Sequence, residues 1–354
     1  MAGNFWQSSH YEQWIFDKTN LLRMRHEDLK IYSEEEYGKL MIFFSNLVQH
    51  IALETQNNNG QKVKMQVIAT AFTYFKRFYA RRSLKDIDPF VLAPTCIYLA
   101  SKVEEFGMMS TTKLMSSVAN VMKQRWCFIQ LEVSQRVGVI HEAEFIILEI
   151  MDCCLIVYHA YRPLTQMIQD MKTNGMKDID ELEATSWKVC NDTMRGDFVM
   201  LYPPHMIALG CIIQAALMLG REKEIRTFMG DLCVDFEKVY EVVQDINKLY
   251  TLWKGFDEQN ELQRLIDKLP KPSATPTQPP VQQHQQQVQQ MPQQMNNQPM
   301  GAPQQRMGHP MGPSHGGPPH HMAPQHMQGM GGLHGMGQMG PPMHQGHQHS
   351  GGFM

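Results

Sequence analysis

Three charged residues close an otherwise apolar stretch, LASKVEEF at 99–106: Lys102, Glu104 and Glu105. A cation and two anions beside core-type residues suit one of two roles. They form a solvated helix end, or they dock the main-chain groups of another protein. Further along, Ile140, Glu144, Ile147 and Met151 fall on one line at helical spacing, so Glu144 interrupts an apolar stripe, while Glu142 and Glu149 make an ordinary polar face. A carboxylate set among apolar side chains needs a partner, and Lys102 is the candidate. Such a pair either orders a bundle from within or serves as a charged anchor in an apolar docking face, and the residues alone leave both open. Enzymatic chemistry has little footing. The chain carries no phosphate loop, no HExxH and no GxSxG. His205, in YPPHM, opens an apolar helix and reads as structural. The seven cysteines form no Cys-x-x-Cys pair and several lie inside apolar runs, which points to reduced, buried thiols and to neither a zinc site nor a disulfide frame. No metal and no cofactor is expected.

The elements that position these residues are helices. Ser33-x-x-Glu36 is a capping-box pattern that opens EEEYGKLMIFFSNLVQHIAL. The Asn-rich loop 54–60 ends that helix, and VKMQVIATAFTYFKRFYARR continues as a second one to about Arg82. Asp88-Pro89 is an N-cap followed by proline at the first helical position. In the helix it opens, Leu92, Cys96, Leu99, Val103 and Phe106 form one apolar stripe and Ala93, Ile97 and Ala100 a second, so the helix belongs at the centre of a bundle. Its polar stripe is Thr95, Tyr98, Lys102 and Glu105. Ser110 or Thr111 starts a fourth helix, and HEAEFIILEIMDC (141–153) completes a first set of five. A second set runs from Pro163 to about Phe256. PHMIALGCIIQA (204–215) repeats PFVLAPTCIYLA (89–100) in Pro, Ala, Cys, Ile and Ala at an offset of 115 residues. The fold class expected is all-α: two similar five-helix domains preceded by an N-terminal helical segment. The boundaries are 1–32 for that segment, 33–154 and 155–269 for the domains, and 270–354 for a tail.

The tail changes composition abruptly. Beyond Lys271 the only Lys, Arg, Asp or Glu is Arg306, and the rest is dominated by Gln, Met, Pro, Gly and His. Such a segment cannot offset its ordering entropy and is expected to be disordered. Ten of the sixteen histidines lie there, but their irregular spacing does not build a metal site. A formal net charge of -3 excludes non-specific phosphate binding as the main activity. No run of 18 apolar residues exists to span a membrane. MAGNFWQSSHYEQW does not read as a signal peptide. The basic run FKRFYARR lies on a structural helix, where it makes a poor import signal.

The segment YFKRFYARRSLKDIDPFVLAPTCIYLASKVEEFG resembles the first box of the cyclin family, and the repeated helix set resembles the paired boxes of that fold. GNFWQSSHYEQWIFDK, SEEEY, LEIMDCCLIVYHAYRPL and NDTMRGDFVMLYPPHMIAL are most similar to the transcriptional cyclins of the Mediator kinase module; the resemblance covers about residues 1–270. It implies a non-catalytic subunit that binds and activates the Mediator-module cyclin-dependent kinase. Its setting is RNA polymerase II transcription in the nucleus, with other kinase-module subunits as partners and no direct contact with nucleic acid or membrane. The resemblance places kinase contacts on Lys102, Glu104, Glu105, Glu144 and Tyr98. Trp6 joins them from an N-terminal helix capped by Ser8 or Ser9, while Trp14 reads as packed core. It also implies a groove in the second box, formed by Trp187, Asn191, Asp192 and Tyr250, that receives a Mediator subunit. KLMIFFSNLVQ lacks the Arg and the Trp by which cell-cycle cyclins recruit substrates. Two rivals remain: a promoter-binding general transcription factor of the same fold, and a transcriptional cyclin paired with an elongation kinase.

Overall fold

The computed structural model describes residues 3–129, 138–230 and 232–270, and among them every regular element is helical. Two short helices come first, α1 (Ser9–Trp14) and α2 (Lys18–Met24). The first set follows: α3 (Glu34–Glu54), α4 (Met65–Arg81), α5 (Pro89–Val103), α6 (Thr111–Arg125) and α7 (Gly138–Ile150). The second set is α8 (Tyr161–Thr173), α9 (Ile179–Thr193), α10 (Phe198–Leu201), α11 (Pro204–Leu219), α12 (Glu222–Gly230) and α13 (Phe236–Lys254), with α14 (Glu258–Asp267) after it. The 54–62 loop contributes one isolated antiparallel bridge, Gln56 to Lys62.

Local chemistry starts several helices where the sequence places them. The Ser8 hydroxyl accepts from the Tyr11 N–H and opens α1. Ser33 and Glu36 close a reciprocal capping box at 3.1 and 3.2 Å. Asp88 caps α5 through the Phe90 N–H at 2.9 Å, with Pro89 at the first position, and Ser110, not Thr111, caps α6.

The repeated helices α5 and α11 are the centres of their sets. Ala93, Cys96, Ile97 and Ala100, and their counterparts Ala208, Cys211, Ile212 and Ala215, are all fully buried. Small side chains let neighbours come close. A Cβ on Gly210 of α11 would lie 2.5 Å from the Val242 side chain of α13. α5 packs against α3, α4, α6 and α7, and α11 against α8, α9, α12 and α13. Apolar packing runs without a break from one set into the other.

Polar contacts join the two sets where their surfaces meet. Arg195 donates to Asn46 Oδ1 (2.8 Å) and Gln49 Oε1 (2.7 Å) of α3. Arg25 grips Asp197 with two bonds of 2.6 and 2.8 Å. The buried Lys76 ammonium donates to the Gly196 carbonyl, and burial pulls its pKa down to about 7. The basic run is thus structural, as its helix position indicates. Arg77 is fully buried, and the guanidinium groups of Arg77 and Arg81 lie 4.8 and 4.0 Å from the ring centre of the buried Trp14.

Several expectations need correction. α5 stops at Val103, so Glu105 and Phe106 lie beyond the helix and share no stripe with Lys102 and Leu99. Thr95 is buried, its hydroxyl turned back to the Val91 carbonyl, and does not belong to a polar face. The second set begins at Tyr161, and one helix more than expected follows Phe256. That helix, α14, returns to the first set. Tyr32 Oη donates to the Leu265 carbonyl (2.9 Å), Lys39 Nζ to Glu261 (2.8 Å) and Trp126 Nε1 to Glu258 (3.0 Å). The expected disorder of the tail concerns 270–354, which from residue 271 lies outside the described residues.

Candidate functional site

The charged end of α5 is shaped by how that helix stops. The Phe106 N–H reaches back to the Ser101 carbonyl (2.9 Å) and the Glu105 N–H to that of Lys102 (3.2 Å). This is the Schellman arrangement, with Phe106 burying its ring as the apolar contact that accompanies it. The turn residue must be left-handed, and here it is Glu105, at φ +50°. Its side chain is exposed and makes no hydrogen bond or ion pair among the described residues.

One turn back, the ammonium of Lys102 donates to both oxygens of Glu144 on α7, at 2.7 and 2.9 Å. The pair straddles the protein surface: the Lys102 side chain is 46% exposed and that of Glu144 9%. The Lys102 stem packs while its head reaches outward, 4.1 Å from the centre of the Tyr98 ring. Tyr98 in turn meets His141 of α7 edge-on at 5.5 Å. Partial burial pulls the Lys102 pKa down, but the Glu144 carboxylate outweighs it and holds the ammonium above the ordinary lysine value. Lys102 therefore stays charged across the physiological range. Beside the pair, Phe145 is 72% exposed, and Ile146 is exposed as well. The surface is a charge pair bridging α5 and α7, and α7 also shows solvent an aromatic ring.

Glu104 is turned elsewhere. It accepts from Gln66 Nε2 (2.7 Å) and Thr70 Oγ1 (2.6 Å), both on α4. Thr70 also meets His159 Nε2 at 2.7 Å. Thr70 has one hydroxyl proton; with that proton given to Glu104, His159 must donate to Thr70. Burial, reinforced by the nearby His10 and Arg77, drives the His159 pKa down to about 3, so the ring is neutral. Glu104 thus ties the end of α5 to α4 and to the connection between the helix sets.

Trp6 is half exposed, and none of its ring contacts is to the Lys102 cluster. It packs edge-on against Phe5 and Tyr11 and leans over His205 of α11 at 5.6 Å. His10 holds this N-terminal segment in place. Its Nδ1 accepts from the Tyr158 N–H (3.1 Å), which leaves Nε2–H to donate to the Val199 carbonyl (3.0 Å).

In the second set, Trp187, Asn191, Asp192 and Tyr250 do come together. Tyr161 stacks on Trp187 at 5.1 Å and donates to Asn191 Oδ1 at 2.9 Å. Tyr250 donates to Asp192 Oδ2 at 3.1 Å. Burial raises the Asp192 pKa against the opposing pull of Arg195. Arg195 is the hub that sequence reasoning missed: its guanidinium lies 4.3 Å from the Trp253 ring centre and reaches Asp192, Asn46 and Gln49. Its contacts in the first set are nearly 150 residues away, so no local pattern points to them. Phe145 was also missed, although an apolar residue off the Ile140–Ile147 line is a readable signal.

Among the described residues no group of His, Cys, Asp or Glu could hold a metal ion, and no helix is long and apolar enough to cross a membrane. Residues 54–155 match the family model for the cyclin N-terminal domain and 159–252 that for the cyclin C-terminal domain. Cyclin-C of Rattus norvegicus is 50% identical over 277 residues, 78% of this chain and 93% of the rat protein. Cyclin-C of Caenorhabditis elegans is 45% identical over 288 residues (78% and 95%), and that of Drosophila melanogaster 48% over 277 (78% and 99%). Among solved structures, a chain of the Chaetomium thermophilum CAK complex bound to ATP-gamma-S superposes with a TM-score of 0.53 at 19% identity, covering 75% of this chain and 87% of that one. A chain of the yeast TFIIK (Kin28/Ccl1/Tfb3) complex gives 0.53 at 22% (69% and 99%). These two likenesses concern the fold.

Proposed function

The chain belongs to the cyclin family, and from that membership we propose that it is the non-catalytic subunit that binds and activates the cyclin-dependent kinase of the Mediator kinase module. It acts in the nucleus on RNA polymerase II transcription. The observation that carries this reading is the Lys102–Glu144 pair: a half-exposed ammonium on a buried carboxylate, lying over the Tyr98 ring, with the exposed Phe145 next to Glu144 on α7. A kinase of this class is inactive until the Glu of its regulatory helix pairs with the Lys that positions ATP. A cyclin that binds the inward position of that helix better than the outward one shifts the population toward activity. Lys102 and Glu144 offer a donor and an acceptor for the main chain at the end of that helix, Glu105 a second carboxylate, and Phe145 an apolar anchor. Glu104 supports this face from behind, through Thr70 and Gln66. Trp187, Asn191, Asp192 and Tyr250 offer an aromatic and polar surface for a segment of another module subunit.

The test is co-purification from nuclear extract with the full chain as bait, wild type beside Lys102→Glu. The readouts are mass spectrometry and kinase activity on a polymerase carboxy-terminal repeat peptide. A kinase with Mediator-module subunits, lost in the variant, supports the reading. Promoter factors without a kinase, or full kinase recovery by the variant, would sink it.

A further inference from the structure

The loop between α3 and α4 is tied to the turn after Lys102 by one side chain. Asn57 is 2% exposed, and its amide uses every hydrogen-bonding position it has. Oδ1 accepts from the N–H groups of Asn59 (3.0 Å) and Gln61 (2.9 Å). Nδ2 donates to Gln61 Oε1 (2.9 Å) and, across the gap, to the Phe106 carbonyl (3.0 Å). Next to it the Asn58 N–H donates to the Met108 carbonyl at 3.0 Å. The loop is itself braced by the Gln56–Lys62 bridge. Gly107 completes the fit, at φ +107°. A Cβ there would meet Asn57 Nδ2 at 3.3 Å, so glycine serves both the backbone conformation and the close approach.

The consequence falls on Met108. The carbonyls of Phe106 and Met108 are both held, and Met109 is buried, so the backbone of this turn is fixed. Yet the Met108 side chain is 76% exposed, the most exposed of the large apolar side chains among the described residues. An apolar side chain on an immobilised backbone loses little freedom when a partner covers it. A thioether also adapts to the shape it meets.

We propose that the Gln56–Lys62 loop is a latch that fixes the 106–108 turn and presents Met108 as an additional apolar contact to the kinase docked on Lys102 and Glu144. This rests on the docking reading above. Asn57 is a positioning residue that acts through Met108, and the surface it serves is an apolar patch of the kinase beside its regulatory helix.

The experiment is a double-mutant cycle with the purified Mediator-module kinase and the full-length chain. The dissociation constant is measured for wild type, Asn57→Asp, Met108→Ala, both together, and Lys102→Glu, with melting followed for each. Asn57→Asp keeps the two acceptor bonds and removes both donor bonds, to the Phe106 carbonyl and to Gln61 Oε1. Met108→Ala removes an exposed side chain and should melt with wild type, so it tests the contact whatever Asn57→Asp does to folding. The expected results are about tenfold weaker binding for Met108→Ala and about fivefold for Asn57→Asp, with the double variant no weaker than Met108→Ala. Binding by Met108→Ala within twofold of wild type, while Lys102→Glu loses the kinase, overturns the latch and leaves the docking face standing. A loss from Asn57→Asp that persists undiminished in the Met108→Ala background overturns it too. Wild-type binding by Lys102→Glu overturns the docking face and the latch with it.

Discussion

Glu105→Gly separates folding from docking at one residue. Glu105 occupies the left-handed turn position of a Schellman motif at φ +50°. The matching place in the second set, 115 residues on, holds Gly220 at φ +68°. There the Arg221 N–H reaches the Ala216 carbonyl (2.8 Å) and the Gly220 N–H that of Leu217 (3.3 Å), so the two central helices end alike. Of these two helix ends, the first places a carboxylate where the second has glycine. The left-handed conformation costs an L-residue about 1–2 kcal/mol. The unfolded freedom of glycine gives back about 0.5–1 kcal/mol of that. The variant should therefore be more stable by about 0.5–1 kcal/mol, and each kcal/mol is worth about 2–4 °C in a protein of this size. Melting should rise by about 1–4 °C. Kinase affinity should fall by about 1–2 kcal/mol, the loss of one charged contact at an interface. Scanning calorimetry reads the first quantity and titration calorimetry with the kinase the second. A lower melting temperature would refute the strain argument. A higher one with unchanged affinity would show that the Glu105 carboxylate has no part in docking.

Other perturbations probe other parts of the molecule. Thr70→Val should lower kinase affinity by about 1 kcal/mol by freeing Glu104, and Thr70→Ser should restore it; equal binding by both variants in titration calorimetry would show that the hydroxyl is idle. Changing Asn191 and Asp192 to Ala should spare kinase activation and weaken recovery of the larger assembly, and unchanged co-purification of module subunits would refute the second surface. His10 and His159 are held neutral by burial, with pKa values lowered to about 4 and about 3 from 6.5. Because the folded values are the lower ones, the unfolded chain binds the extra protons, and the stability they contribute is present above pH 6.5 and lost as the pH falls toward 3. Urea denaturation at pH 7 and pH 5 should show that decline, and equal stability at both would contradict it. Removing residues 258–270 strips Leu262 and Leu265 from the core along with three polar ties, and should cost more than about 3 kcal/mol; unchanged melting of the chain lacking those residues would refute the role given to α14.

Patterns confined to one helix were readable, and contacts made across the fold were not. The capping box at Ser33, the Asp88-Pro89 start and the Pro, Ala, Cys, Ile, Ala repeat located the helices and their duplication. Glu144 announced its need of a partner by breaking an apolar stripe, and Lys102 is that partner. Glu105 was misplaced because helical periodicity was carried past Val103. The stop is set by backbone conformation, and its usual sign is glycine, which this helix lacks. Glu104 looked like a twin of Glu105, yet Thr70 and Gln66 claim it from a helix more than 30 residues earlier. Arg195, Asn57 and α14 escaped for the same reason: each acts on residues distant in the chain.

The return of α14 to the first helix set carries a consequence for biosynthesis. A ribosome delivers the chain from its amino end, and domains commonly fold as they emerge. Here Tyr32, Lys39 and Trp126 wait for Leu265, Glu261 and Glu258. The amino-terminal half leaves the exit tunnel with one flank bare and keeps it so until α14 has itself cleared the tunnel. Nascent molecules arrested before that point should hold chaperones that complete ones release.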